Sequence, residues 1–510
     1  MSRLNNSIRN VKYTALAQAV NFLIAFFSRR VFVYVLSSEY LGLNGVFSNI
    51  LSMLSLAELG LGSAICFCLY KPLFDRDKKT VNSIMLFYKK AYTVIGLFVL
   101  IAGLAVTPFL DFIIEELPDI AHIRLIYILF VLNSALSYFF VYKKTLLIAD
   151  QKQYITNVVH QVFVFAMNVL QIAFLWLTHN YFSYLVIMII TTVGQNLFVS
   201  WIVDKKYAYL DLKHAEPLDK AMQKEVFKNI RAMTAHRVGG VVVNGTDNLI
   251  MAKCVSVVSV GLYSNYYLIK NTLVSVISLL FQSVTSSIGN LGAETEDGAR
   301  KEEVFNILNF IGAWIFGFCS ICLFILYNPF ITLWLGEQYL FDMKIVAIIV
   351  VNFYMLGMRQ PVLTERDALG IFWYDRHKPI FESVINLAVS IPLALKFGIV
   401  GVFFGTFIST VTTSFWVEPY VLYKHGFHKN CIGYFVKYLG YTAVTILSGG
   451  LCWLLTEQVR FTTPIFDLAI KLLICGALPN IIFLLVYCKT AEFRAIWRII
   501  KQKFFKRKVK

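Results

Sequence analysis

Residues 307–328 read ILNFIGAWIFGFCSICLFILYN and contain no charged side chain. As an α-helix, this run covers about 33 Å at a rise of 1.5 Å per residue, enough to cross the hydrocarbon core of a bilayer. Lipid offers no hydrogen bonds, so the backbone amides must satisfy each other within a helix. The run therefore predicts a membrane-spanning α-helix. Its cysteines, Cys319 and Cys322, have a redox-like spacing, but inside an apolar run we interpret them as small packing residues.

Comparable apolar runs follow one another along the whole chain. The sequence is 58% hydrophobic and 15% charged, whereas soluble domains carry about 25% charged residues. We predict an all-α integral membrane protein with about 14 transmembrane helices. The expected spans lie near 13–36, 43–70, 91–114, 123–142, 156–178, 181–203, 235–257, 261–290, 307–328, 343–358, 378–396, 398–420, 435–456 and 464–488.

The connections between these runs alternate between basic and nearly uncharged segments. Lysine and arginine concentrate in 71–90, in 204–234 and in the tail 489–510, and about 37 of the 47 such residues fall on the side that holds both termini. Because cytoplasmic loops are the basic ones, both termini are predicted to be cytoplasmic. The net charge of +17 then follows mostly from topology, because the basic loops lie on the cytoplasmic side. Anionic membrane lipids are sufficient partners for these loops, and we expect no nucleic-acid partner.

Apolar stripes on basic segments and the span order together predict the domain organisation. The stripes occur within 218–230 and 493–504 and are typical of helices that lie in the membrane interface. The predicted segments are a six-helix bundle over 1–203, a cytoplasmic amphipathic linker over 204–234, a second six-helix bundle over 235–420, two additional transmembrane helices over 421–488 and a basic amphipathic cytoplasmic tail over 489–510.

A faint internal repeat supports two related halves. Leu41-Gly42-Leu43-Asn44 opens the second predicted span, and Val260-Gly261-Leu262-Tyr263 opens the eighth, at an offset of 219 residues. Transporters are often built from such repeats, with the substrate site between them. The repeat therefore predicts two pseudo-symmetric bundles.

Four cations stand out in the most polar parts of the predicted spans, where an ionisable side chain usually faces a cavity or a partner. Arg29 and Arg30 lie about 17 residues into the first span, Arg237 near the start of the seventh, and Lys270 near the middle of the eighth. These positions favour an anionic cargo such as a diphosphate, which arginine binds bidentately and lysine binds as a point charge. The alternative is that the arginines reach the membrane interface and hold nothing.

Two acids accompany these cations. Asp247 lies near mid-membrane in the seventh span, and Glu58 lies beside glycines within the second. Each is a candidate for binding a proton or a sodium ion, or for a structural ion pair; Glu58 is also consistent with tight helix packing alone. Glu382 resembles them with a weaker signal, and Gly401 and Gly405 are predicted helix-packing residues.

The sequence contains no enzymatic signature on which to base a reaction. It lacks a phosphate-binding Gly-x-x-x-x-Gly-Lys-Ser/Thr loop and a paired-carboxylate loop of the kind that a membrane glycosyltransferase needs. The short, charge-poor outer loops argue against a polysaccharide polymerase, which needs an essential residue in an external loop. We therefore expect no catalytic residues, no metal and no cofactor, and we interpret the chain as a transporter rather than an enzyme.

Two blocks resemble bacterial polysaccharide flippases, the lipid-linked oligosaccharide exporters of the multidrug/oligosaccharidyl-lipid/polysaccharide (MOP, MATE-like) superfamily. The first block runs over 28–49 and 56–64, and the second over 246–250 and 260–267. The resemblance implies two six-helix bundles with alternating access, in a bacterial inner membrane. It also implies a polyprenyl-diphosphate-linked oligosaccharide cargo of the O-antigen, capsule or teichoic-acid type, moved from the cytoplasmic to the outer leaflet.

By the same resemblance, positive charge in a central cavity holds the diphosphate. That role would fall to Arg29, Arg30, Arg237 and Lys270, with Asn44 and Asn265, one in each block, as further candidate substrate-binding residues. Two alternatives stay open within the superfamily. The drug exporters have twelve spans and acidic cation-binding residues, and the peptidoglycan-precursor flippases have fourteen spans and cavity arginines.

Overall fold

The computed structural model describes residues 20–58, 61–114, 118–150, 152–220, 222–224, 226–227, 245–294, 298–371, 374–459 and 461–506. Helices joined by short turns make up these ranges, and no β-strand occurs within them. Eleven of the helices are long and apolar enough to cross a membrane. The prediction of an all-α, multi-pass membrane protein is therefore confirmed. Arg237 lies outside the described residues.

The described residues form two compact units, Met1–Gly261 and Leu262–Lys510. The division falls inside one helix, α10, which covers Val257–Glu294. The predicted bundle boundaries at 203, 235 and 420 stay predictions.

The main helices of the first unit lie in its described part. They are α1 (20–35), α2 (Ser38–Leu54), α3 (Leu61–Phe74), α4 (Lys78–Val106), the short α5 (Leu110–Ile113), α6 (Ile123–Ala149), α7 (Gln153–Thr178), α8 (Tyr181–Lys206) and α9 (245–254). A 3₁₀ turn over Ser55–Glu58 joins α2 towards α3.

Small residues let α4 approach α6 closely in the first unit. A Cβ atom on Gly103 would lie 2.7 Å from Cγ1 of Val131, and one on Gly96 would lie 3.2 Å from Cβ of Tyr138. In lipid no hydrophobic effect drives helices together, because the acyl chains are as apolar as the side chains. Helix pairs are stabilised instead by the close approach of their backbones. Leu218 and Val226 of the predicted amphipathic linker are buried in the hydrophobic core of the first unit.

The second unit continues from α10 through eight further helices. They are α11 (Gly298–Trp334), α12 (Met343–Ala368), α13 (Lys378–Phe397), α14 (Ile399–Thr412), α15 (Ser414–Val421), α16 (Ile432–Gln458), α17 (Pro464–Tyr487) and α18 (Ala491–Lys506). A π-helical turn over Leu422–Phe427 follows α15.

The predicted packing role of Gly401 and Gly405 is confirmed. A Cβ atom on Gly401 would lie 1.9 Å from the carbonyl oxygen of Leu393, and one on Gly405 would lie 2.1 Å from Oγ of Ser390. The two glycines therefore set the close contact between α14 and α13. At the far end of the chain, Phe493 of α18 stacks on Trp314 of α11 with ring centroids 6.2 Å apart.

Candidate functional site

The arginine pair on α1 presents its two side chains differently. Arg29 is half-buried and interacts electrostatically with Tyr184 of α8, whereas Arg30 is exposed. Adjacent residues on an α-helix point about 100° apart, so only one of the two can face the interior of the unit. The structure thus places one guanidinium inside the first unit and one on its surface.

An aromatic cluster surrounds this part of the first unit. Tyr181 lies with its ring centroid 4.7 Å from Tyr40 and 5.9 Å from Phe32. Its hydroxyl donates a 2.6 Å hydrogen bond to Oδ1 of Asn44. The fold therefore brings two predicted site residues, Arg29 and Asn44, to one set of rings. The rings of the aromatic cluster are Phe32, Tyr40, Tyr181 and Tyr184.

Glu58 lies elsewhere in the first unit, among tyrosine hydroxyls. Tyr92 donates a hydrogen bond to Oε1 of Glu58, and the neighbouring Tyr88 shares a 3.0 Å hydrogen bond with Thr145. Gly62 makes room for this arrangement, since a Cβ atom there would lie 3.4 Å from Glu58 Oε1. Within the described ranges, the partner that holds Glu58 is thus a phenol, and no lysine or arginine forms an ion pair with it.

Lys270 and Asn265 lie on α10 in the second unit. The Lys270 ammonium is 3.1 Å from the hydroxyl of Tyr263 and lies over the ring of Tyr267, 5.1 Å from its centroid. Aromatic faces attract cations, so these rings hold the ammonium in place. Asn265 is fully buried, and neither atom of its amide is hydrogen-bonded to any described residue.

The remaining predicted residue, Asp247, is half-buried on α9 in the first unit. The structure therefore gathers Arg29 and Asn44 around the aromatic cluster and places Lys270 and Asn265 on one helix. Glu58 stands apart from the aromatic cluster. The functional roles of all these residues stay predictions.

The second unit also contains a charge network that the sequence analysis missed, apart from Glu382. Arg359 of α12 donates to both carboxylate oxygens of Glu418 of α15, at 3.0 Å and 2.8 Å. Lys378 of α13 donates to the same carboxylate, and Glu382 lies 3.5 Å from both cations. The Glu418 side chain is completely buried. Two acids and two cations thus join three helices at zero net charge.

Hydropathy explains why this network escaped prediction. Arg359 follows the predicted tenth span, which α12 extends to Ala368, and Lys378 begins the predicted eleventh. Both therefore look like ordinary interfacial charges at the end of a span. Only the helix packing shows that they share a carboxylate.

Two adjoining cavities lie beside the network in the second unit. A small one of about 10 Å³ is bordered by Arg359, Ser414 and Glu418. A larger, open and almost wholly apolar one of about 510 Å³ lies between α11, α12, α14, α15 and α16. Met355, Phe415 and Tyr438 border both. The larger cavity is lined mainly by aliphatic and aromatic side chains, among them Ile321, Phe324, Val350, Phe407, Ile446 and Trp453.

Comparison with known proteins locates the fold. No family model matches the sequence, and no curated protein sequence matches it either. The structure matches lipid II flippase MurJ in its inward closed conformation with a TM-score of 0.63 at 16% identity, covering 93% of this chain and 98% of that one. It matches an inward-facing multidrug resistance MATE family transporter of the MOP superfamily with a TM-score of 0.64 at 12% identity, over 79% and 94% of the two chains.

The chain has the fold of the MOP-superfamily transporters. A MOP transporter from Pyrococcus furiosus gives a further match, with a TM-score of 0.55 at 12% identity over 80% of this chain and 93% of that one. The MOP fold thus accounts for nearly the whole chain. It is shared by a flippase and by drug transporters, so the cargo must be argued from the side chains.

Proposed function

We propose that this protein is a flippase that moves a polyprenyl-diphosphate-linked oligosaccharide from the cytoplasmic to the outer leaflet of a bacterial inner membrane. The glycan would serve a cell-surface polysaccharide of the O-antigen, capsule or teichoic-acid type. The observation that carries this proposal is the arginine pair of α1, with Arg29 half-buried in the first unit and Arg30 exposed beside it. Guanidinium groups on a predicted membrane-spanning segment suit an anionic head group, and a diphosphate accepts their bidentate hydrogen bonds.

The large apolar cavity of the second unit supports a lipid-linked cargo. Its volume of about 510 Å³ lies within the 300 to 1,000 Å³ typical of ligand pockets, and its lining offers almost no hydrogen bonds. A polyprenyl chain needs contact area rather than polar partners. We propose that the lipid chain of the cargo uses this surface while the head group is held elsewhere.

The polar residues near the arginines are suited to hydrogen-bonding the sugars of the proposed cargo. Asn44 and Tyr181 already form a hydrogen-bonded pair, and both can donate to or accept from a sugar hydroxyl. In the proposed alternating-access cycle, the arginines bind the diphosphate, Asn44 and Asn265 contact the glycan, and Lys270 and Arg237 contribute further positive charge. Asp247 or Glu58 would bind the coupling ion, a proton or a sodium ion.

A cation-coupled multidrug antiporter is the second candidate. Glu58 favours it, because this acid is hydrogen-bonded by Tyr92 rather than paired with a cation in the described part of the chain. A carboxylate in such a site is available to a proton or a cationic drug. A flippase for peptidoglycan precursor is the third candidate and shares the diphosphate chemistry of the first.

Translocation in proteoliposomes tests the proposal. Fluorescent polyprenyl-diphosphate oligosaccharide, lipid II and a cationic dye would be offered separately to the native protein and to Arg29→Ala/Arg30→Ala. Arg29→Lys/Arg30→Lys keeps the charge but loses the bidentate geometry, so it should retain part of the activity. Arg124→Ala is the matched control, because Arg124 is an exposed arginine 3.0 Å from Asp111.

Oligosaccharide flipping that the double alanine variant abolishes, with an unchanged thermal melt, would support the proposal. Flipping confined to lipid II would replace it with the peptidoglycan alternative. Dye efflux that depends on Glu58 and not on the arginines would establish the antiporter instead.

A further inference from the structure

Glu365 of α12 is a buried acid that forms no ion pair with any residue the structure describes. Its residue is 1% exposed, and its Oε2 atom has no hydrogen-bond partner in the part of the chain that the structure describes. It lies three residues before α12 ends at Ala368. An isolated buried carboxylate is costly, because neither water nor a cation compensates its charge.

The other buried acids that the structure describes in the second unit are all paired. Glu418 is shared by Arg359 and Lys378, and Glu382 lies 3.5 Å from the same two cations. Asp375 lies 2.6 Å from Nη1 of Arg366. Glu365 thus differs from these acids because no described cation is paired with it. A paired cation is what stabilises the charged form of a buried carboxyl group.

Among the described residues, no charged group on the elements around α12 forms an ion pair with Glu365, and Arg300 of α11 is one of these groups. On α11, Lys301 influences Glu365 electrostatically without forming an ion pair within the described residues, and Glu302 pairs with Lys429 at 2.6 Å. On α12 itself, Arg366 is held by Asp367 and Asp375.

Within the described part of the chain, the π-helical turn, α14 and α15 offer Glu365 no counter-ion either. In the π-helical turn, Tyr423 interacts with Glu302, Lys424 contacts the hydroxyl of Tyr420 at 3.0 Å, and His425 stacks on Tyr374 with centroids 3.8 Å apart. Helix α14 has no charged residue, and the acid of α15 is Glu418.

We propose that Glu365 is a reversible proton-binding site, and that its protonation state biases the packing of α12 against α11 and the π-helical turn. A neutral carboxyl group fits this buried position. The carboxylate would draw in water or a cation and loosen these contacts. The ligand is a proton rather than a metal ion, since the described residues include no cluster of three acidic, histidine or cysteine side chains.

An infrared measurement tests the site without any cargo. The full-length protein in lipid would be titrated over about pH 5 to 8 while the C=O stretching band of protonated carboxyl groups is recorded. Glu365→Gln is the test variant, since glutamine resembles the neutral acid. Glu303→Gln is the matched control, because Glu303 is an exposed acid near the start of α11. We expect a band that titrates in the native protein and in Glu303→Gln and is missing in Glu365→Gln.

Transport gives a second readout, which rests on the proposed function. The native translocation rate should change with pH by up to about tenfold per unit, the limit for one proton, and the rate of Glu365→Gln should stay flat. A titrating band that survives in Glu365→Gln, or no titrating band in the native protein, would overturn the inference. If no cargo is flipped, the proposed function fails, and the infrared result still decides the proton site.

Discussion

Gly42 and Gly261 make reciprocal contacts where α2 crosses the start of α10. A Cβ atom on Gly42 would lie 2.1 Å from the carbonyl oxygen of Val257, and one on Gly261 would lie 2.0 Å from that of Ser38. The offset of 219 residues seen in the sequence takes Ser38 to Val257 and Gly42 to Gly261. The two contacts are therefore equivalents of each other, as in a self-complementary interface.

Gly42→Ala and Gly261→Ala should each destabilise the protein by about 1 to 3 kcal/mol, the usual cost of forcing an extra methyl group into a packed contact. Because the two residues share one crossing, the double variant should cost less than the sum of the single ones. Thermal melts in detergent, followed by tryptophan fluorescence, measure the effect. Gly440→Ala is the control, since a Cβ atom on Gly440 meets nothing within 4 Å. Unchanged melts for both test variants would contradict the close approach.

Glu418→Gln should be among the more damaging single changes in the second unit. It leaves Arg359 and Lys378 buried without their shared carboxylate, a loss that typically costs about 3 to 5 kcal/mol. Glu382→Gln should cost less, because its ion pairs are longer at 3.5 Å. Melting temperatures of the two variants, with the exposed Glu303→Gln as reference, test this order. A Glu418→Gln protein as stable as Glu303→Gln would mean that the network contributes little.

Reversing the charges of Lys437 and Glu492 should loosen the last helix. The two side chains lie 2.7 Å apart, and the pair fastens α18 beside its stacking contact with Trp314. Lys437→Glu or Glu492→Lys alone should speed chymotryptic cleavage in α18 about two- to fivefold, as expected for a partly exposed pair of about 0.5 to 1 kcal/mol. The double reversal should restore the native rate. Equal cleavage in all four proteins would show that the pair does not hold α18.

Asp77 should make a small, pH-dependent contribution to stability. It caps α4 by accepting hydrogen bonds from the backbone N–H and the hydroxyl of Thr80, and these bonds lower the pKa of its carboxyl group below the usual 3.8. With a lowered folded-state pKa, the contribution is present above pH 3.8 and is lost as the pH falls through the folded-state value.

The native protein should therefore melt above Asp77→Ala at pH 7 by no more than about 2 °C, since the site is exposed, and the gap should shrink towards about pH 3. Asp77→Asn keeps a capping side chain without a titrating group, so its melting temperature should not show this extra pH dependence. A gap between the native protein and Asp77→Ala that is constant with pH would contradict the assignment.

Composition and hydropathy alone established that this chain is an all-α, multi-pass membrane protein. Apolar runs of about 20 residues have one stable form in lipid, so residues 307–328 could be assigned without any knowledge of their neighbours. The packing role of Gly401 and Gly405 was readable for a similar reason, since small residues spaced four apart lie on one helix face. The apolar stripe of the basic tail likewise predicted a helix, which the structure shows as α18.

Only the tertiary structure decided which polar side chains meet. Arg359 and Glu418 are 59 residues apart, and Asn44 and Tyr181 are 137 apart, yet each pair is hydrogen-bonded. In a soluble helix, hydrophobic periodicity marks the face that turns inward. In a membrane helix the lipid-facing side is as apolar as the packed side, so the pattern does not show how the helix is rotated. Rotation is set by packing between helices, and with it the partners of Arg29, Glu58 and Glu365.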